Sequence, residues 1–241
     1  MGKKKNDERP VVSISDNKLR QFVKDAVSKH GNLSPLEEAY VSEPKPFKQV
    51  TDMVSQRTKD GHQELYKGYV DALNRTVAEL EAIETTGANA MHSEYRSARL
   101  DETYNLNAKW LHELYFANCF DPNSNVYMDS QAFIRLSRDF GNFERWQKDF
   151  IACALSAGEG WAVCGYNMHL RRYTNTFISH HSGDVMLGMF PIVVLDMWSH
   201  AYHKDYVIDR QSYIVAMMRE LNWNVIEDRI GVAEKIAGVL K

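Results

Sequence analysis

Only three cysteines, Cys119, Cys153 and Cys164, occur in the 241 residues. They lie in apolar stretches without Cys-x-x-Cys spacing, which argues against a disulfide framework or a zinc ribbon and fits a reducing, intracellular compartment. No apolar run approaches the roughly 20 residues needed to cross a bilayer, so no membrane span is expected. The opening MGKKKNDERP is charged with no hydrophobic segment behind it, and Asp7 and Glu8 do not suit a mitochondrial presequence. The expected location is the cytoplasm, or the mitochondrial matrix if a presequence preceded this numbering. Proline is scarce over most of the length: Pro10, Pro35, Pro44 and Pro46 fall in the first 46 residues, leaving Pro122 and Pro191 for the rest. That asymmetry divides the chain into an N-terminal extension, 1–46, and a body.

The extension carries the basic cluster Lys3–Lys5, a weak helical segment at Lys18–Lys29 and the Pro-x-Pro of Pro44 and Pro46. Such a stretch buries little by itself and reads as an arm or linker. The chain as a whole has the 44% hydrophobic, 25% charged balance of a globular protein, and the body is long enough to bury a real core. It divides further at Pro122. From Phe47 to about Leu80, apolar residues recur at three- and four-residue steps (Tyr66, Tyr69, Leu73, Val77, Leu80), with His62 one turn earlier. A polar stretch with Gly87 as a breaker follows. A second helix over Thr103–Cys119 should pack on the first as an antiparallel hairpin and end at Asp121–Pro122. Residues 123–241 change character. Short helices at Ser130–Phe140 and Phe143–Ser156 precede three strand-like runs, Trp161–Asn167, Tyr173–Ser179 and Phe190–Leu195. Helices at Tyr202–Leu221 and Val225–Leu240 close the chain. The fold class is α+β, a helical hairpin domain over 47–122 followed by a C-terminal α/β domain over 123–241.

Of nine histidines, His62 and His112 stand out, because each lies on the inward stripe of a helix, where an unpartnered imidazole carries a desolvation cost. In Pro191-Ile-Val-Val-Leu-Asp-Met-Trp-Ser-His-Ala-Tyr-His, an apolar strand stops at Asp196 and His200 follows at the start of a helix. A carboxylate beside an imidazole in an apolar setting needs a partner; a cation supplies one, and a plain Asp–His hydrogen bond is the other reading. Three imidazoles and one carboxylate suit iron or manganese as well as zinc, so ligand type leaves the metal open.

At this point the motifs converge on a family. Asp-x-Trp-x-His-Ala-Tyr at 196–202 resembles the C-terminal signature of iron/manganese superoxide dismutases. Gly158-Glu-Gly-Trp161 is similar to that family's Gly-Ser-Gly-Trp, and Phe140-Gly-Asn-Phe143 with Trp146 and Phe150 to its helix junction. His112-Glu-Leu-Tyr-Phe, preceded by Trp110 and followed by Asn118-Cys119, resembles its second-histidine block, and Asp205-Tyr206, Arg210, Tyr213 and Asn222-Trp223 its closing helix. The resemblance covers about residues 50–230. It implies a C-terminal domain with a three-stranded antiparallel sheet, and one iron or manganese per chain held by His62, His112, Asp196 and His200, with solvent as a fifth ligand. The implied activity is conversion of superoxide to dioxygen and hydrogen peroxide. Catalytic support would come from Tyr69 as gateway, Arg210 at an anion funnel, and His181, with His180 as its rival, in place of an outer-sphere glutamine.

The sequence departs from the family in several places. Tyr69 follows His62 by seven residues where the family has eight, and Ala108 and the His180–His181 pair occupy the two usual origins of the glutamine. Ser199 replaces a glutamate that in the family crosses a dimer interface, and Tyr66 and His203 exchange the types of a tyrosine and a histidine that meet across it. The resemblance therefore implies a homodimer, or a heterodimer with a related chain, with Tyr66, Ser199 and His203 at the interface. The alternative is a non-catalytic subunit of a large assembly, such as a mitochondrial ribosomal small subunit, docked through residues 1–46.

Overall fold

Helix starts along the chain are set by side chains that accept the otherwise unpaired backbone N–H groups of a first turn. The computed structural model describes residues 41–239; the basic cluster Lys3–Lys5 and the segment Lys18–Lys29 lie outside them. Ser55 caps α1, Gln56–Ala82, by accepting from the Thr58 N–H, and Ser93 caps α2, Glu94–Asn118, through Arg96 N–H. A 3-10 turn, Thr85–Gly87, lies between them. α2 thus begins nine residues before the expected Thr103. Its first turns are polar and exposed, so their helicity rests on the cap and on pairs such as Arg99–Glu102, not on an apolar stripe. Residues 47–55, expected to be helical, precede the Ser55 cap and are not.

α1 and α2 pack antiparallel: His62 meets Phe116 while Tyr69, two turns on, meets Tyr104. The preceding segment is fastened to this pair. Ser42 and Asn74 exchange two hydrogen bonds, Lys45 N–H donates to the Tyr66 hydroxyl, and Phe47 packs on Tyr66 and Phe116. Among the described residues, 41–46 thus pack on the hairpin.

Two short helices, α3 (Gln131–Phe140) and α4 (Phe143–Ser156), meet at Gly141, whose φ of +91° is easy only for glycine. Strands β1 (Gly160–Asn167), β2 (Arg172–Ser179) and β3 (Met189–Asp196) form an antiparallel sheet in the order β2-β1-β3. β1 is buried along its whole length, and Trp161 pairs with both Ile178 and Asp196. α2 and α7 pack on β3, and α4 covers β1 and β2. The expected helix over Tyr202–Leu221 is two: α5, Ser199–Tyr206, and α6, Arg210–Arg219. Val207, with φ +55°, breaks them apart, and Asp209 caps the second through Ser212 N–H. α7, Trp223–Val239, ends the described chain.

Trp146, Phe150, Trp161, Tyr173, Tyr213, Ile192 and Leu195 form the centre of the core, each no more than 1% exposed. An aromatic ring of this kind removes about 150–250 Å² from water, worth about 4–6 kcal/mol before entropy is counted.

Candidate metal centre

His62 on α1, His112 on α2, Asp196 at the end of β3 and His200 in the first turn of α5 converge, their ligand atoms all within 4.8 Å of one another. Asp196 Oδ2 lies 3.0 Å from His62 Nε2, 3.2 Å from His200 Nε2 and 3.8 Å from His112 Nε2. His62, His112 and Asp196 are buried and His200 is part-exposed.

The surroundings orient each group. His112 Nδ1–H donates to the Ala108 carbonyl at 2.6 Å, which leaves the lone pair of Nε2 facing the cluster, buried and with no hydrogen-bond partner. Asp196 Oδ1 accepts from Trp198 N–H, and its backbone carbonyl accepts from the Tyr213 hydroxyl. Burial works to raise the Asp196 pKa, but the contacts with His200 and His62 outweigh it and hold the carboxyl well below the usual range. Burial pushes His62 down despite Asp196, and pushes His112 down further. The neutral imidazoles of His62 and His112 beside an ionised carboxylate do not offset its buried negative charge, and the orphaned Nε2 of His112 points at the same place. A cation answers both, so these residues fit a mononuclear metal with N₃O ligation.

His181 is fully buried, and both of its nitrogens are engaged. Nδ1 accepts from the Trp161 indole N–H at 3.1 Å, so Nε2 carries the proton and donates to the Tyr69 oxygen, also at 3.1 Å. Burial lowers its pKa to about 4. His180, by contrast, is exposed with φ +57°; its ring stands edge-on to Trp198 and its backbone N–H donates to the Glu159 carbonyl. Tyr69, seven residues after His62, packs against the rings of His112 and His181. Seven residues of a regular helix turn through about 700°, only 20° short of two full turns, so Tyr69 projects on the same side as His62. Burial, then Tyr104 and Asp196, raise its pKa.

Arg210 is tied down: its Nη2 donates to the carbonyls of Ala154 and Gly158. Tyr66, expected to meet His203 of a second chain, is 2% exposed, donates to Glu113 Oε1 and accepts from Lys45 N–H. Its hydroxyl is an internal strut and offers no exposed group to a partner. His203 is exposed, its ring nitrogen donating to the Val207 carbonyl within its own chain, and Ser199 N–H is held by Glu159. Two groups escaped the sequence reading. Tyr104 stands edge-on to His181 with ring centres 4.7 Å apart; the regular step Tyr104, Ala108, His112 on one helix face was the available signal. Lys45, Lys109 and Tyr66 surround the buried carboxylate of Glu113, one residue from His112; a charged pair four apart at 109 and 113 ordinarily signals a solvated face.

Four such side chains, drawn from two antiparallel helices and the strand–helix junction of a small antiparallel sheet, form a cluster that could hold one metal ion. The family model described as "Iron/manganese superoxide dismutases, C-terminal domain" matches residues 129–229. "Superoxide dismutase [Fe]" of Aquifex pyrophilus is 31% identical over 179 residues, 73% of this chain and 83% of the relative. "Superoxide dismutase [Fe]" of Cupriavidus metallidurans is 32% identical over 170 residues, covering 70% and 83%. "Superoxide dismutase [Mn] 1" of Halobacterium salinarum is 30% identical over 168 residues, covering 70% and 82%. The chain belongs to the iron/manganese superoxide dismutase family.

Proposed function

We propose that this chain is an active superoxide dismutase, converting superoxide to dioxygen and hydrogen peroxide at one iron or manganese held by His62, His112, Asp196 and His200. The observation that carries the reading is the unpartnered, buried His112 Nε2 facing a buried carboxylate and two further imidazoles. When bound, the metal supplies one-electron redox chemistry. The protein's own groups manage position and protons. Trp161 and His181 fix the Tyr69 oxygen, and because that oxygen accepts from His181, Tyr69's own proton is turned to another neighbour. The raised pKa keeps Tyr69 protonated at neutral pH, a donor for the protons that peroxide formation consumes. Asp196 balances the charge of the metal, and Trp198 N–H and Tyr213 hold it in register.

The intact ligand set and the Tyr69–His181 contact favour this reading over the non-catalytic subunit. Superoxide decay followed by stopped flow, on protein loaded separately with iron and manganese, tests it. Catalysis proportional to bound metal is expected with at least one of the two, abolished by His200→Ala and slowed in turnover by Tyr69→Phe. Metal-loaded protein that leaves superoxide to its spontaneous decay would overturn the enzymatic reading.

A further inference from the structure

Arg135 and Arg138 stand one turn apart on α3, Arg171 sits in the turn between β1 and β2, and Glu234 lies on α7. With the buried Tyr166 they line a cavity of about 330 Å³, and none of them belongs to the metal cluster. A carboxylate holds each α3 guanidinium side-on. Arg135 Nε and Nη2 donate to the two oxygens of Glu234, at 2.6 and 3.2 Å, and Arg138 Nε and Nη2 to those of Asp139, at 2.6 and 2.9 Å. The same two nitrogens are used in both, so each Nη1 is left without an acceptor among the described residues. Arg171 makes no hydrogen bond or ion pair among them, and its φ of +53° is a left-handed conformation that glycine adopts without strain.

Tyr173 adds a fourth donor from below. It is fully buried, and its hydroxyl has no partner. The ring stands edge-on to Tyr166 with centres 5.2 Å apart, and the hydroxyl lies in the field of Glu234 and Arg135. A buried O–H without an acceptor carries a desolvation cost that an anion at this place would remove. Arg172 donates to the Asp139 carbonyl, so Arg135, Arg138, Arg171 and Arg172 gather here against only Glu234 and Asp139, on a chain whose net charge is −3.

Two unused guanidinium edges, a third guanidinium without a partner and an unpaired hydroxyl are all donors. Their match is a group with several acceptor oxygens and more than one negative charge, which a phosphate monoester has and a carboxylate lacks. The volume falls at the small end of the roughly 300–1,000 Å³ of small-molecule sites, and Tyr166, Met168 and Ala237 supply an apolar wall. We propose that this cavity binds a small phosphate monoester, its phosphate against Arg135, Arg138 and Arg171 and its organic body along Tyr166 and Met168. The assignment rests neither on the metal nor on the superoxide reading.

Titration calorimetry on the full chain tests it, with adenosine 5′-monophosphate as the probe and adenosine and inorganic phosphate as its two halves. The monophosphate should bind once per chain, about tenfold or more tighter than either half, and more weakly as salt is raised. Arg171→Ala should raise its Kd about tenfold and Arg171→Glu should abolish binding. Arg171→Gly should weaken binding as Arg171→Ala does while thermal stability holds or rises, because the φ is relieved and no polar contact is lost. Tyr173→Phe, which removes only the hydroxyl, should raise Kd about threefold or more. His200→Ala should leave the affinity unchanged. No binding at millimolar monophosphate, or Arg171 and Tyr173 variants that bind like the wild type, would overturn the site, and loss of binding in His200→Ala would move the ligand to the metal cluster. Inorganic phosphate bound as tightly as the monophosphate would overturn the assignment to an ester. A single-stranded RNA oligomer bound more tightly than the monophosphate and released by Arg171→Glu would overturn the small-molecule reading in favour of contacts to a nucleic-acid backbone.

Discussion

His181 is useful because nothing about it is left to chance: one nitrogen is fixed by Trp161, the other by Tyr69, and burial keeps the ring neutral. His181→Ala strands the Trp161 N–H in the core, and should lower unfolding free energy by about 1–3 kcal/mol plus the cost of the cavity. Denaturant unfolding checks this, and metal content should hold while turnover drops. The depressed histidines also set a pH dependence for the metal-free protein. Below their ordinary value of 6.5, the unfolded chain takes up protons that folded His62, His112 and His181 refuse. Stability therefore falls as pH falls from 6.5, with His181 contributing down to about 4, at a slope of up to about 1.4 kcal/mol per pH unit for each histidine. Asp196 adds a loss at lower pH, since its carboxyl stays ionised in the fold until strong acid protonates it. Midpoints of urea unfolding between pH 4 and 8 would show this; a flat profile would contradict the burial of neutral imidazoles.

Two positions define how the elements meet. Gly160 begins β1, where a Cβ would lie 2.3 Å from the Ile178 carbonyl oxygen, so the second glycine of Gly158-Glu-Gly-Trp161 is required by backbone approach. Gly160→Ala should cost about 3 kcal/mol or more, or prevent folding, as seen in thermal unfolding and soluble yield. Val207 holds a β-branched residue at φ +55° between α5 and α6, a conformation glycine adopts without strain. Val207→Gly should leave stability unchanged or raise it by up to about 1 kcal/mol, where valine to glycine elsewhere in a helix would lower it. The sequence revealed the strands and the helices with strong apolar stripes. It hid the polar first turns of α2, whose stability comes from the Ser93 cap, and the break at Val207, since nothing about Tyr206-Val-Ile-Asp209 resembles a helix stop.

Across the whole molecule, His62 and His112 were legible as polar groups on inward helical stripes, and Asp196 and His200 as the polar end of an apolar strand and the start of the helix after it. The charges beside them were not, since Glu113 is neutralised by residues from two segments of the chain. The surroundings of Tyr66 within its own chain were not legible either, because the strap at 41–47 that packs on it carries no strong pattern. What unites the fold is a buried carboxylate and three imidazoles that need a cation. Elemental analysis of the purified chain, beside His112→Ala and Asp196→Asn, measures that need directly. About one iron or manganese per wild-type chain, with stoichiometry falling towards zero in both variants, is the expected result. A wild-type chain that takes up neither metal when both are offered, or variants that keep the full complement, would contradict it.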